Sequence, residues 1–174
     1  MFYSTVKNHG ERPANTFWTG NDWKTINYKE WAAIAEEIGN GLLSLGVNKG
    51  DNLVIMSPTC VEWGWADIGI ELAGGCTTTI FPSLGNEEVE FIVNHSQITY
   101  FFVGNSELLQ RVAGLKSKLP SLKGFICMSG DFQGDGIETW NLEQLRQLGR
   151  NYQREYPHDL GDRGQSLTEK DAAT

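Results

Sequence analysis

Two rhythms of apolar positions alternate along this chain. Steps of three and four residues mark one face of a helix, and short unbroken apolar runs mark strands buried on both faces. Trp31, Ile34, Ala35, Ile38, Leu42 and Leu45 form the first helical stripe. Asn27 and Glu30 stand before it at capping-box spacing, where the Asn side chain accepts from a free backbone amide and Glu30 reaches back. Gly46 ends this helix, Asn48-Lys49-Gly50-Asp51 reads as a turn, and LVIMS (53–57) reads as a buried strand. A second helix is predicted from Pro58 and Thr59, with Thr59 and Glu62 as another capping box and Val61, Trp65, Ile68 and Leu72 as its stripe. Gly64 and Gly69 each cost about 1 kcal/mol of helix propensity relative to alanine, so close packing of this helix on the sheet is expected to offset them.

The alternation continues. Gly74-Gly75 stops the second helix and CTTTIF (76–81) reads as a strand. Asn86 opens a third helix through about His95, with Glu87 and Glu88 at the positive end of its dipole. YFFVG (100–104) is a strand, and Ser106 is expected to cap a fourth helix with Leu108, Leu109, Val112 and Leu115 inward, ending at Pro120. GFICMS (124–129) is a strand, GDFQGDG (130–136) a loop, and Thr139 or Asn141 caps a last helix carrying Leu142, Leu145 and Leu148. Before all of these, NTFWTG and DWKTIN suggest a hairpin around Gly20-Asn21-Asp22. The fold class that follows is α/β: a mostly parallel, Rossmann-like sheet with helices on both faces, preceded by a short β-hairpin. Residues 1–156 form this unit, and 157–174, polar and without a period, form a loop.

Composition narrows the function. The chain has 174 residues and a net charge of −8, with no block of Lys and Arg, which argues against nucleic acid as a partner. No apolar run approaches a membrane span, and the N-terminus lacks the apolar core of a secretory signal, so a cytoplasmic location is the expectation. Cys60, Cys76 and Cys127 show no metal spacing and read as buried reduced thiols. Most of the six tryptophans are expected in the core, and some on a face that meets another domain.

Chemistry is sparse. AGGCTTTIFPSLG (73–85) has the glycines and hydroxyls of a phosphate loop, but its glycines follow a helix and precede a strand, where carbonyls are free instead of amides. Neither the G-x-x-x-x-G-K-[ST] loop nor G-x-G-x-x-G occurs. Glu87, Glu88 and Glu90 read as a solvated helix face. No nucleophile elbow supports a His-based triad, so no catalytic residue and no metal ligand is assigned. The remaining candidates are Phe81, Pro82 and Ser83, which stand at the carboxyl end of a parallel strand, where open α/β sheets place ligands.

Four segments carry a family resemblance. They are TINYKEW (25–31), LGVNKGDNLVIMSP (45–58), EWGWADIGIELAGGCTTTIFPS (62–83) and NEEVEFIVNHSQITYFFVGN (86–105). Together they resemble the N-terminal region of adenylate-forming acid–CoA ligases, most of all AMP-forming bacterial long-chain fatty acyl-CoA synthetases. The resemblance implies a two-step reaction: a fatty acid and ATP give an acyl-adenylate and pyrophosphate, and the CoA thiol then displaces AMP, with Mg²⁺ screening the phosphates. The family's phosphate-binding run, its aromatic-Thr-Glu motif, its ribose-binding aspartate and its C-terminal lysine have no counterpart in the sequence. LTEKDAAT (167–174) resembles the segment that precedes the phosphate-binding run.

The expectation is therefore a piece of a longer enzyme, inactive alone, with the rest of its own chain as its partner. ATP, Mg²⁺ and CoA would act only in the full-length enzyme, which could touch the membrane surface peripherally. The sequence leaves self-association open. Two other readings stand beside it: a fragment of an amino- or aryl-acid adenylating enzyme, and a non-catalytic α/β interaction module.

Overall fold

The computed structural model describes residues 2–130 and 138–172. A hairpin of β1 (Pro13–Trp18) and β2 (Trp23–Asn27) precedes a five-stranded parallel sheet. The sheet strands are β3 (Asn52–Met56), β4 (Cys76–Thr79), β5 (Tyr100–Val103), β6 (Gly124–Cys127) and β7 (Glu138–Asn141), in spatial order β4-β3-β5-β6-β7. The helices are α1 (Phe2–His9), α2 (Tyr28–Ser44), α3 (Val61–Leu72), α4 (Asn86–His95), α5 (Ser106–Ala113), α6 (Leu142–Glu155) and α7 (Asp159–Gln165). Among the described residues no helix is long and apolar enough to cross a membrane.

Alternation along each central strand divides the core in two. Leu53, Ile55, Phe102 and Ile126 face α2, α3 and α6 with Ile38, Leu42, Ile70 and Leu145. Val54, Met56, Phe101, Val103 and Phe125 face α4 and α5 with Val89, Val93, Leu109 and Val112. The expected α/β class, the parallel sheet covered on both faces and the preceding hairpin are all present. So is the first cap: Glu30 N–H donates to Asn27 Oδ1 at 2.9 Å, and Asn27 N–H donates to Glu30 Oε2 at 2.8 Å. Gly74 takes a φ of +78°, the left-handed turn that stops α3.

Several local expectations are corrected. The second helix begins at Val61 with Cys60 at its N-cap and no side-chain cap bond, so the Thr59–Glu62 box does not form. Its buried face is Trp65, Ala66, Gly69 and Ile70, shifted from the expected stripe. Gly64 and Gly69 face α2 and not the sheet: a Cβ at Gly69 would lie 2.5 Å from Ile38 Cγ2. Asn105, one residue before Ser106, caps α5, and that helix ends at Ala113, well ahead of Pro120. Asn141 caps α6 and also ends a fifth strand, β7, that no apolar run announces.

At the ends of the chain, α1 and α7 form where no helix was expected. Phe2 packs edge-on against Trp31, with ring centres 5.2 Å apart. Within the stretch read as a loop, α7 docks through Leu160 and through Arg163, which donates to the Ala73 carbonyl at 3.2 Å. Of the tryptophans only Trp65 is buried, and Trp18 and Trp23 stand 55% and 65% exposed at the hairpin tip. Only Cys127 is a buried thiol; Cys60 and Cys76 are half-buried. Most of the loop 130–136 lies outside the described residues.

Candidate functional site

In an open parallel sheet the ligand crevice lies beyond the carboxyl ends of the strands, where the strand order reverses. Here the reversal falls between β3 and β5, and this position is filled. A Cβ on Gly104, just past β5, would sit 2.5 Å from Ser57 Oγ, just past β3. The open space lies one strand over. A cleft of about 480 Å³ runs between the carboxyl ends of β3 and β4.

Ile55 and Ser57 form its β3 side, and Thr79, Ile80 and Phe81 its β4 side. Thr59, Cys60 and Trp63 close it from the entry to α3. Its polar side chains carry hydroxyls, one thiol and the Trp63 indole N–H, with no ionised side chain on the wall. Ser57 Oγ donates to the Pro58 carbonyl at 2.7 Å and lies 3.4 Å from Cys60 Sγ. Burial pushes the Cys60 thiol above its ordinary pKa, and the contact with Ser57 only partly offsets this. The sulfur is thus a thiol at neutral pH and a poor nucleophile.

Of the three residues singled out in the sequence, the structure brings one to this cleft. Phe81 forms its outer rim and is 77% exposed. Pro82 turns away, with its carbonyl accepting from Arg111 at 2.8 Å. Ser83 is exposed and does not line the cleft. Behind them Glu88 accepts from Gly85 N–H at 2.6 Å, and Glu90 pairs with Lys118 at 3.0 Å, so only Glu87 of that acidic face is left to solvent alone. Sequence reasoning missed Cys60 and Trp63 as cleft residues and missed Arg111 altogether. The first two carry only a core-like signal, and Arg111 meets its partners across more than twenty intervening residues.

Comparison with known proteins fixes the lineage. The family of AMP-binding enzymes matches residues 2–162. The chain belongs to this family. Its curated relatives include the long-chain-fatty-acid–CoA ligase ACSBG1 of Rattus norvegicus, 24% identical over 155 residues, covering 89% of this chain and 22% of that protein. Another is the long-chain-fatty-acid–CoA ligase heimdall of Drosophila melanogaster, 27% identical over 137 residues, covering 76% and 20% respectively. The chain thus spans about a fifth of the length of the curated relatives it matches. Among solved structures, coronafacic acid ligase from Pectobacterium brasiliense superposes with a TM-score of 0.72 at 17% identity, over 84% of this chain and 28% of that one. A long-chain-fatty-acid–CoA ligase from Archaeoglobus fulgidus gives 0.71 at 17%, over 85% and 29%. These establish a shared fold.

The cleft does not fit the polyanionic groups this family implies. A triphosphate needs cations or converging amides, and Mg²⁺ needs carboxylate oxygens. No cationic and no carboxylate side chain lines the cleft, and no cluster of metal-ligating residues occurs among the described residues. An apolar wall with a few hydroxyls suits a hydrocarbon group.

Proposed function

We propose that this chain is the N-terminal part of an ATP-dependent acid–CoA ligase acting on a long-chain fatty acid. The observation that carries the proposal is the AMP-binding family match across residues 2–162, joined to curated relatives that bear the name of long-chain-fatty-acid–CoA ligases. In this reading the carboxylate attacks the α-phosphorus of ATP and pyrophosphate leaves. The CoA thiol then attacks the acyl carbon and AMP leaves, its proton passing to solvent or a base. None of these steps is routed through a side chain of this chain. Its contribution is the parallel sheet as scaffold and an apolar wall beside Phe81. The nucleotide, its metal ion and CoA are held by the rest of the polypeptide.

The test is a substrate panel on the product of the complete reading frame. AMP formation that requires both CoA and hexadecanoate is expected. Turnover confined to amino or aryl acids, or no AMP with any acid, would overturn the reading.

A further inference from the structure

Arg111 leaves α5 and reaches the loop that follows β4. Its Nε donates to Asn86 Oδ1 at 2.9 Å, one terminal nitrogen donates to the Pro82 carbonyl at 2.8 Å, and the other donates to the Leu84 carbonyl. All three acceptors are neutral and all lie between Pro82 and Asn86. Within the loop, Leu84 N–H donates to the Phe81 carbonyl at 3.1 Å, which closes the turn without tying it to the sheet. Leu84 packs on the core under α4 and α5, and the guanidinium ties the loop backbone to α5, because a planar fork can serve several carbonyls at once where a lysine serves fewer. Phe81, at 77% exposure, has little packing of its own to hold it at the rim of the cleft.

We infer that Arg111 is a positioning residue that sets the width of the cleft mouth. It fixes the backbone on both sides of Ser83, keeps the Phe81 ring at the rim, and so limits the bulk of the apolar group the cleft admits. The inference rests on the reading of this cleft as the side of the site that takes an apolar group. Its test does not use ligase activity.

Cys60 provides the probe, since it lines the cleft, and labelling is run at mildly alkaline pH, the same for every variant, to supply thiolate. The rates of labelling by N-ethylmaleimide and by the bulkier N-pyrenylmaleimide are compared on the Cys60 peptide by mass spectrometry. The parent chain is expected to favour the small reagent. Arg111→Gln should speed labelling by the bulky reagent about tenfold, as when bonds to a charged donor no longer hold the loop, while the small reagent changes little. Arg111→Lys should fall between, and Phe81→Ala should reproduce the loss of selectivity with the clamp intact. An unchanged rate ratio in a folded Arg111→Gln chain would overturn the inference, as would full selectivity in Phe81→Ala. If Arg111→Gln fails to fold, the ratio in Arg111→Lys decides. Failure of both to fold also overturns it, because a residue that only places a surface loop is not needed for the fold. A failed substrate panel leaves this ratio standing, and a failed ratio leaves the panel standing.

Discussion

Asp67 lies half-buried on α3, and that burial raises its carboxyl above the ordinary range, only partly offset by a hydrogen bond from Thr77. Glu71, one turn on, is also raised, first by burial and then by the charge of Asp67. A carboxyl raised in the folded state contributes stability that is fully present below its unfolded pKa and is lost as pH rises through the folded value. Above the raised value the ionised carboxylate is left half-buried at a cost. Asp67→Asn removes the charge, keeps an acceptor for Thr77 and relieves Glu71. Its thermal midpoint should exceed that of the parent at pH 7, and the gain should vanish as pH falls below the carboxylate range. Equal midpoints at pH 7 would contradict this.

At the same scale, the cap of α2 was legible in sequence because Asn27 and Glu30 meet within four positions, whereas that of α6 was read only as Thr139 or Asn141, and the structure places it at Asn141 with Gln144. Arg111 was not legible, because its acceptors lie 25 to 29 positions away and leave no local pattern.

Between elements, the closest approach joins α2 and α6. A Cβ on Gly149 would overlap the Glu37 carbonyl oxygen, a backbone atom that cannot rotate aside. Around this seam Arg146 and Arg150 both donate to Glu37 Oε2, at 2.7 and 3.0 Å. Gly149→Ala should therefore destabilise by about 3 kcal/mol or more, since overpacking against backbone leaves little room to relax. Gly164→Ala on α7, where a Cβ meets nothing within 4 Å, should instead stabilise by about 0.5 kcal/mol through the unfolded chain. Chemical denaturation of both variants checks the difference in sign.

The central strands were readable because burial on both faces makes them continuous apolar runs. The helices α1 and α7 were not, because neither has a buried residue among those described. Strand β7 was hidden for a related reason: it lies at the sheet edge, and Glu138, Thr139, Trp140 and Asn141 are exposed or half-buried.

For the whole molecule, the succession of helices and strands was enough to give the parallel sheet, and the family followed from motif order. The position of the cleft did not follow. It depends on Ser57 packing into the space left by Gly104, which shifts the opening from the strand reversal to the β3–β4 side. What results is an acidic domain of net charge −8 whose cleft is walled by apolar side chains and uncharged hydroxyls. Such a surface repels a nucleoside triphosphate and has no cation on the cleft wall to hold one. The proposed function thus gives these residues the role of scaffold and apolar wall, with no nucleotide site of their own. Calorimetric titration of the 174-residue chain with ATP and Mg²⁺ tests that role most directly. The account predicts no heat beyond dilution up to millimolar nucleotide; a saturable isotherm approaching one ATP per chain would contradict it.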